Sequence, residues 1–147
     1  MHYIEEVRDL FSVGQEYYLG HCISSDFKLG KGIAVLFDRY FNMRERLFQH
    51  YPNYHTQFKK NNCQGDVLLV GRVFNLVTKE YYYQKPTYRS LEQALWKLRA
   101  LCIGNNISYL ALPRIGSGLD RLSWGKVSTL IKQIFLDVEI NILICSL

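Results

Sequence analysis

Apolar runs alternate with polar, glycine-bearing segments along the chain, and this alternation predicts its secondary structure. Six runs are short and rich in branched or aromatic residues, a composition typical of β-strands. They cover residues 3–7, 17–23, 66–69, 73–79, 107–112 and 140–147. The third and fourth runs are separated only by Val70-Gly71-Arg72, which predicts a hairpin or two adjoining strands.

Helical spacing of apolar residues predicts three longer helices. The first covers residues 33–41, the second begins at Pro86 or Thr87 and ends at residues 104–106, and the third begins near Trp124. Residues 42–64 are polar, aromatic and irregular, and only one short helix, over residues 44–50, is expected there. Strands and helices alternate without a linker or repeat, so the sequence predicts one α/β/α domain over residues 1–147, with a mixed sheet between helical layers.

Composition and charge limit the kinds of ligand and site that we expect, but they do not identify a function. Lys and Arg outnumber Asp and Glu by 18 to 13, which favours anionic ligands, nucleic acid included. No basic run is longer than Lys59-Lys60, so a dedicated nucleic-acid arm is not expected. The four cysteines have no metal-ligand or disulfide-framework spacing, and we expect reduced thiols and neither a metal nor another cofactor.

The ends and the hydropathy of the chain predict a soluble protein. The first residues lack a basic segment followed by an apolar one, and no run approaches the roughly 20 apolar residues of a membrane span. We therefore expect a monomer without membrane contact, in the cytoplasm or, in a eukaryote, also in the nucleus.

Residues 113–124 are the strongest candidate for chemistry. An apolar run leads into a loop in which Ser117 lies between Gly116 and Gly118, and a helix follows. Glycine has no Cβ, so such a loop can present backbone N–H groups to a phosphate, and the helix adds its positive end. Residues 24–32 form a second glycine loop before a helix. The alternative for the first loop is an ordinary turn in which Asp120 caps the helix.

Four motifs stand in one order on this chain. They are His21-Cys22-Ile23-Ser24, Gly30-Lys31-Gly32-Ile33-Ala34, Lys85-Pro86-Thr87-Tyr88 and residues 113–124. Together they resemble the macrodomain family and, within it, the terminal ADP-ribose protein glycohydrolase (ALC-like) branch. The resemblance covers nearly the whole chain. It implies a three-layer α/β/α fold with about six strands, and ADP-ribose bound in a cleft above the strand ends.

The resemblance also implies roles for single residues. Asp9 would accept a hydrogen bond from the adenine amino group, and the backbone of Leu10 would help to hold the base. One wall of the cleft, at the distal ribose and diphosphate, would be formed by Ser24, Gly30, Gly32 and Ile33. The opposite wall, which would cradle the phosphates, would be formed by Pro113, Ile115, Gly116, Ser117, Gly118 and Leu119. Lys85 and Asp120 correspond to the catalytic pair of the branch.

Two positions depart from the family pattern. Arg8 stands where glycine usually precedes the aspartate, which bears on the shape of the adenine pocket. The aromatic segment Tyr82-Tyr83-Gln84 precedes Lys85 and bears on which leaving group the cleft admits.

The residues themselves lead to a similar chemistry. Hydrolysis at an anomeric carbon usually uses two carboxylates, but the glycine loop supplies only Asp120. Lys85, on a loop that Pro86 holds away from helical angles, is available as an amine that forms a Schiff base with the opened ribose. Asp120 would then transfer protons to the leaving group and from water.

The predicted function is an ADP-ribosyl hydrolase. It would remove terminal ADP-ribose from an acidic side chain of a protein or from a nucleobase of a nucleic acid, and would also cleave O-acetyl-ADP-ribose. Two alternatives remain open at this point: a reader that binds ADP-ribose without turnover, and a phosphatase acting on ADP-ribose 1″-phosphate.

Overall fold

A mixed six-stranded sheet forms the centre of the molecule in the computed structural model, which describes all of residues 1–147. The strands lie in the order β1-β6-β5-β2-β4-β3, and every neighbouring pair is parallel except β3 and β4, which form an antiparallel hairpin. Their bounds are β1 His2–Val7, β2 Tyr18–Ser24, β3 Asp66–Val70, β4 Val73–Lys79, β5 Tyr109–Leu112 and β6 Asn141–Ser146.

Five α-helices cover the two faces of the sheet. They are α1 Ile33–Phe41, α2 Met43–His50, α3 Tyr54–Lys60, α4 Tyr88–Gly104 and α5 Trp124–Ile134. Two short 3-10 turns lie at residues 10–12 and 118–120. None of the helices combines the length and the apolar character needed to cross a bilayer.

Two hydrophobic clusters, one on each face of the sheet, form the core. Strand alternation divides β4 between them, because successive side chains of a strand point to opposite faces. Phe74 and Leu76 pack in one cluster with residues of α4 and α5. Val73 and Val77 pack in the other with residues of α1, α2 and α3. The predicted three-layer α/β/α arrangement is confirmed.

Residues 54–60 differ from the sequence prediction, which left them irregular. They form α3, and only Tyr54 and Phe58, one helical turn apart, are buried. Two apolar positions in a polar segment give too weak a period to predict a helix, and a helix this short is stabilised mainly by tertiary packing. Tyr54 supplies that packing by stacking on Phe27, with ring centroids 5.7 Å apart.

The carboxyl ends of β2, β4 and β5 meet at one edge of the sheet. These strands are neighbours and run parallel, so the segments that follow them, residues 25–32, 80–87 and 113–123, emerge on the same side. Ligands of open α/β sheets bind outside the carboxyl ends of the strands.

Candidate active site

The three segments at this edge surround a cleft of about 710 Å³. That volume lies within the range of pockets that hold a drug-sized ligand. Cys22, Ile23 and Ser24 of β2 contribute to its lining, with residues 28–34 on one side and residues 113–120 on the other. Lys79, Tyr82, Tyr83 and Lys85 complete the lining. The two predicted glycine loops therefore face one cavity.

The loop after β5 is tightly constrained. Gly116 and Gly118 have φ angles of +75° and +68°, a region that residues with a Cβ rarely adopt. A Cβ on Gly116 would also lie 3.1 Å from Leu91 Cδ2 of α4. Ser117 Oγ donates a hydrogen bond to the carbonyl of Arg114 at 2.6 Å, and Leu122 N–H donates to the carbonyl of Gly116 at 2.7 Å. Hydrogen bonds within the loop therefore fix its conformation, and the hydroxyl of Ser117 is one of their donors.

The loop after β2 approaches the loop after β5 closely at Gly32. This residue has φ +61°, and a Cβ there would lie 3.2 Å from Leu119 Cδ1 across the cleft. Gly32 is also the N-cap residue of α1 and makes no side-chain cap hydrogen bond. The first N–H groups of a helix lack intrahelical partners and carry partial positive charge, which suits a phosphate.

A lysine and an aspartate meet inside the cleft, but the lysine is Lys79 and not Lys85. Lys79 Nζ donates a hydrogen bond to Asp120 Oδ1 at 3.1 Å, and the two side chains are only 15% and 17% exposed. Lys85 is exposed at the rim, where its Nζ donates to the carbonyl of Leu119 at 2.6 Å. Lys85 and Asp120 nevertheless line the same cleft, and Lys85 reaches the residue next to Asp120, so the catalytic role of Lys85 stays a prediction.

A register shift between β2 and β4 gives Lys79 this position. Ile23 pairs with Val77 but Ser24 pairs with Lys79, so Thr78 is the extra residue of a β-bulge. Without it, alternation would direct Lys79, like Val73 and Val77, towards α1, α2 and α3. The bulge turns the side chain instead towards Asp120. Bulges often re-aim a side chain next to an active site, and the sequence carries no signal for this one.

The electrostatics of the cleft favour an anionic ligand. Its lining has one carboxylate, Asp120, and five cationic side chains: Lys28, Lys31, Lys79, Lys85 and Arg114. Cys22 lies close to Lys79 and Asp120, but burial, reinforced by the charge of Asp120, raises the pKa of its thiol well above the usual range. The reactive form of cysteine is the thiolate, so Cys22 is a neutral part of the lining and not a nucleophile.

Comparison with known proteins assigns this arrangement to a family. The macrodomain of Mycobacterium tuberculosis DarG superposes with a TM-score of 0.77 at 20% identity, covering 99% of this chain and 97% of that one. The human protein ADP-ribose glycohydrolase OARD1 is 37% identical over 143 residues, which are 95% of this chain and 88% of the human protein. The chain belongs to the macrodomain family. Within it, the chain falls in the terminal ADP-ribose glycohydrolase branch, as predicted.

A ligand complex is known for a structural neighbour of this macrodomain. Thermosipho africanus DarTG in complex with ADP-ribose superposes with a TM-score of 0.69 at 19% identity, covering 99% of this chain and 42% of that one. The predicted class, a hydrolase, is confirmed by the similarity to the glycohydrolases. No family model matches the sequence.

Ten of the predicted ligand-binding residues line the cleft of the macrodomain, and Asp9 and Leu10 do not. Asp9 Oδ1 accepts a hydrogen bond from Phe11 N–H at 3.0 Å and so caps the short turn after β1. Leu10 is buried beneath it, at 3% exposure. Phe11 stacks on Tyr40 of α1, with ring centroids 4.6 Å apart. The roles of Asp9 and Leu10 at an adenine stay predictions.

Asp26 joins two sides of the cleft, and sequence reasoning missed it. Its Oδ1 accepts a hydrogen bond from Ser24 Oγ, and its Oδ2 accepts one from the backbone N–H of Tyr82 at 3.0 Å. The loop after β2 is thereby tied to the loop after β4. An aspartate shortly after serines, in a loop that follows a strand, is a common local hydrogen-bonding pattern. The sequence pattern could have identified its contact with Ser24 but not its contact with Tyr82.

Proposed function

We propose that this macrodomain removes terminal ADP-ribose from a modified acidic side chain or nucleobase through the amine of Lys85 and the carboxyl of Asp120. Both side chains line one cleft walled by two glycine loops, where Lys85 Nζ reaches the carbonyl of Leu119 next to Asp120, and this convergence is the observation that carries the proposal. O-acetyl-ADP-ribose, an ester on the same ribose, is a further expected substrate.

The two walls of the cleft suit the diphosphate of ADP-ribose. Gly32 and the first turn of α1 offer backbone N–H groups and the positive end of a helix on one side. On the other side, residues 116–119 form a glycine-bearing loop whose Leu119 side chain comes within van der Waals range of Gly32. Lys28 and Lys31 add positive charge near the first wall. A diphosphate between these walls would place its attached ribose near the lysine and aspartate.

The proposed reaction proceeds through an imine. The free amine of Lys85 attacks the anomeric carbon of the ribose, a bond from Nζ to that carbon forms, and the bond to the leaving group breaks while Asp120 protonates the leaving group. Opening of the ribose ring converts the adduct to an imine. Water then adds to the imine with Asp120 as the base, which releases ADP-ribose and restores the amine.

Asp120 is well placed for both proton transfers. Its carboxyl lies in the cleft, one residue after the carbonyl that Lys85 reaches, so one carboxyl can serve the leaving group and later the water. Lys79 has a different role in this scheme. Its Nζ donates a hydrogen bond to Asp120 Oδ1 at 3.1 Å, which orients the carboxyl of the acid.

Three single variants test this assignment: Lys85→Ala, Asp120→Ala and Lys79→Ala. Turnover is measured as release of ADP-ribose from a glutamate-linked substrate, and binding of ADP-ribose is measured by calorimetry. We expect the first two variants to bind ADP-ribose and to lose most of kcat, whereas Lys79→Ala keeps more of it. An inactive Lys79→Ala beside a fully active Lys85→Ala would assign the nucleophile to Lys79 and refute the proposal.

Borohydride reduction during turnover tests the imine directly. The reduced adduct is expected on the peptide that contains Lys85, as identified by mass spectrometry. An adduct confined to Lys79 would contradict the assignment, and no adduct on either lysine would contradict the covalent route.

A panel of substrates separates the proposal from the two alternatives. A hydrolase of this type releases ADP-ribose from glutamate-linked or guanine-linked substrates, whereas a phosphatase acts only on ADP-ribose 1″-phosphate. A reader binds ADP-ribose and turns over none of them. The presence of Lys85 and Asp120 in one cleft favours the hydrolase, because a reader has no need for either side chain.

A further inference from the structure

Three consecutive tyrosines lie in the loop between β4 and α4, shortly before Lys85. Residues 81–84 form a tight turn, in which the backbone N–H of Gln84 donates to the carbonyl of Tyr81 at 3.1 Å. The side-chain oxygen of Gln84 accepts in return from the backbone N–H of Tyr81 at 2.8 Å. Tyr82 and Tyr83 are the two central residues of this turn. Because two hydrogen bonds close the turn, the backbone that carries both rings is ordered before any ligand binds.

Aromatic contacts support the ring of Tyr83 from the side of the protein. This ring lies parallel to the ring of Tyr81, with an interplanar angle of 5° and ring centroids 5.4 Å apart. The ring of Tyr82 meets it nearly at a right angle, also at 5.4 Å. Tyr81 in turn contacts His55 of α3, with ring centroids 5.1 Å apart. The stack of Tyr83 on Tyr81 is thus anchored to a helix of the core layer.

Most of the surface of Tyr82 and Tyr83 is nevertheless free. The two residues are 50% and 66% exposed, and both line the cleft. Packing within the protein does not account for two large exposed rings side by side, and exposed apolar surface next to a cleft is typical of a binding site. The open part of the Tyr83 ring is therefore available to a molecule bound in the cleft.

Tyr83 lies close to the bond that the proposed reaction breaks. It precedes Lys85 by two residues, which separates the two backbones by at most about 7 Å. Lys85 Nζ reaches the carbonyl of Leu119, next to Asp120. The leaving group is attached to the anomeric carbon that Lys85 attacks, so it lies within reach of the Tyr83 ring.

The chemistry of this rim fits a nucleobase better than a carboxylate side chain. A flat base can stack on a tyrosine ring, whereas the side chain of a glutamate is aliphatic and flexible and has no ring to stack. Lys28 Nζ lies 5.9 Å from the centroid of the Tyr82 ring, and Lys31 also lines the cleft. Stacking rings beside positive charge are the combination that binds single-stranded nucleic acid.

We propose that Tyr83, supported by Tyr81 and flanked by Tyr82, is a specificity-determining residue that stacks the nucleobase from which ADP-ribose is removed. This inference rests on the proposed function and narrows its leaving group to a base of a single-stranded nucleic acid. The base lies against the Tyr83 ring while its bond to the anomeric carbon breaks and Asp120 protonates it. A base inside a duplex has both faces covered by its neighbours and would first have to leave the stack.

The test compares substrates that carry the same ADP-ribose on different groups. They are guanine-linked ADP-ribose in a single-stranded oligodeoxynucleotide, the same modification in an oligoribonucleotide, and glutamate-linked ADP-ribose in a peptide. We expect Tyr83→Ala to lower kcat/KM about tenfold for the oligonucleotides and to leave it unchanged for the peptide. Tyr83→Phe keeps the ring and should restore the parent value. The oligonucleotide with the larger kcat/KM in the parent identifies the nucleic acid.

Tyr109→Ala is the matched control. Tyr109 is also a partly exposed tyrosine, at 39%, and it also contacts a second tyrosine, Tyr17, with ring centroids 5.3 Å apart. It lies at the start of β5, at the end of the strand away from the cleft. We expect the same ratio of kcat/KM between oligonucleotide and peptide in Tyr109→Ala as in the parent.

The outcomes separate this inference from the proposed function. If Tyr83→Ala lowers kcat/KM equally for all substrates, or only for the peptide, the stacking role is wrong. A parent-like Tyr83→Ala beside an inactive Lys85→Ala would refute the stacking role and leave the proposed function standing. If Lys85→Ala keeps the kcat of the parent, the proposed function fails, while the ratio between oligonucleotide and peptide in Tyr83→Ala still tests the tyrosine. Selective loss for the oligonucleotides, restored in Tyr83→Phe, supports the inference.

Discussion

His21 on β2 should make the stability of this macrodomain fall as the solution becomes acidic. The side chain is fully buried and stacks on Phe37 of α1, with ring centroids 3.8 Å apart. Its Nε2 lies 2.7 Å from Oδ1 of Asn75, and its Nδ1 has no hydrogen-bond partner. The amide nitrogen of Asn75 is directed to the backbone carbonyl of Leu68 at 3.1 Å. Asn75 therefore accepts from His21, so Nε2 carries the proton.

A second proton on His21 would have no acceptor. It would have to enter at Nδ1, which is buried and unpartnered. Burial lowers the pKa of His21 from its ordinary value of 6.5 to about 4, although the hydrogen bond to Asn75 acts in the opposite direction. The folded protein thus resists a proton that the unfolded chain accepts.

The direction and the size of the pH effect on stability follow from the difference between the His21 pKa values of the folded and unfolded states. Above pH 6.5 the histidine is neutral in both states, and its contribution to stability is complete. As the pH falls from 6.5 towards 4, only the unfolded state gains the proton, and the contribution is progressively lost. At about 1.4 kcal/mol for each unit of pKa, the whole loss is about 3 kcal/mol. This is a large share of the roughly 5–15 kcal/mol that stabilises a typical domain.

Urea unfolding at a series of pH values measures this loss. The parent is compared with His21→Gln, in which an amide N–H can still donate to Asn75 but nothing titrates, and with the control His50→Gln on the surface of α2. Carboxylates also titrate in this range, so the informative quantity is the difference between parent and variant. Between about pH 7.5 and pH 4, that difference in the free energy of unfolding should change by about 3 kcal/mol for His21→Gln.

Parallel pH profiles for the parent and His21→Gln would refute the reasoning, because they would mean that His21 takes up its proton equally well in both states. A similar change in His50→Gln would also refute the assignment to His21. Comparisons of catalytic variants are best made above pH 6.5, where this contribution to stability is complete.

Three further predictions concern the cleft and the helix α4. Asp26→Ala removes the acceptor of the Tyr82 backbone N–H, and we expect KM for ADP-ribosylated substrates to rise about tenfold with little change in melting temperature; an unchanged KM in steady-state assays would contradict this role. Thr87→Ala removes the N-cap of α4, whose side chain accepts from Ser90 N–H, and should cost about 1 kcal/mol in urea unfolding, with activity preserved. In Gly65→Ala the new Cβ would lie 1.8 Å from the carbonyl oxygen of Ser90, so we expect a loss of about 3 kcal/mol, and wild-type stability would show that the α4 contact is loose.

Most of the fold could be predicted from the sequence because its signals are local. The strand and helix patterns depend on residues a few positions apart, and the six strands and the helices α1, α2, α4 and α5 follow them closely. The positions of Gly32 and Gly116 could be predicted as loops for the same reason. The exception, α3, has too few apolar residues to carry a period, and it depends on packing against residues far away in the chain.

The candidate site was only partly predictable. The two glycine loops and Asp120 were identified by their motifs, and the structure brings them to one cleft. The hydrogen-bond partner of Asp120 was not identified. The sequence pattern predicts Lys79 only as the last residue of a strand, whereas Lys85 lies in a motif that resembles the family. The contact of Asp26 with Tyr82 joins residues far apart in the chain and leaves no local pattern.

The amino-acid sequence thus determined the order of strands and helices, the presence of two glycine loops and the family, through spacings that act over a few residues. Tertiary structure alone decided which lysine faces Asp120. Lys79 and Lys85 are six positions apart, and each reaches a residue of the same loop, 41 and 34 positions further along the chain. The pairing of Ser24 on β2 with Lys79 on β4 is shifted by one residue, and this shift turns the Lys79 amine towards Asp120.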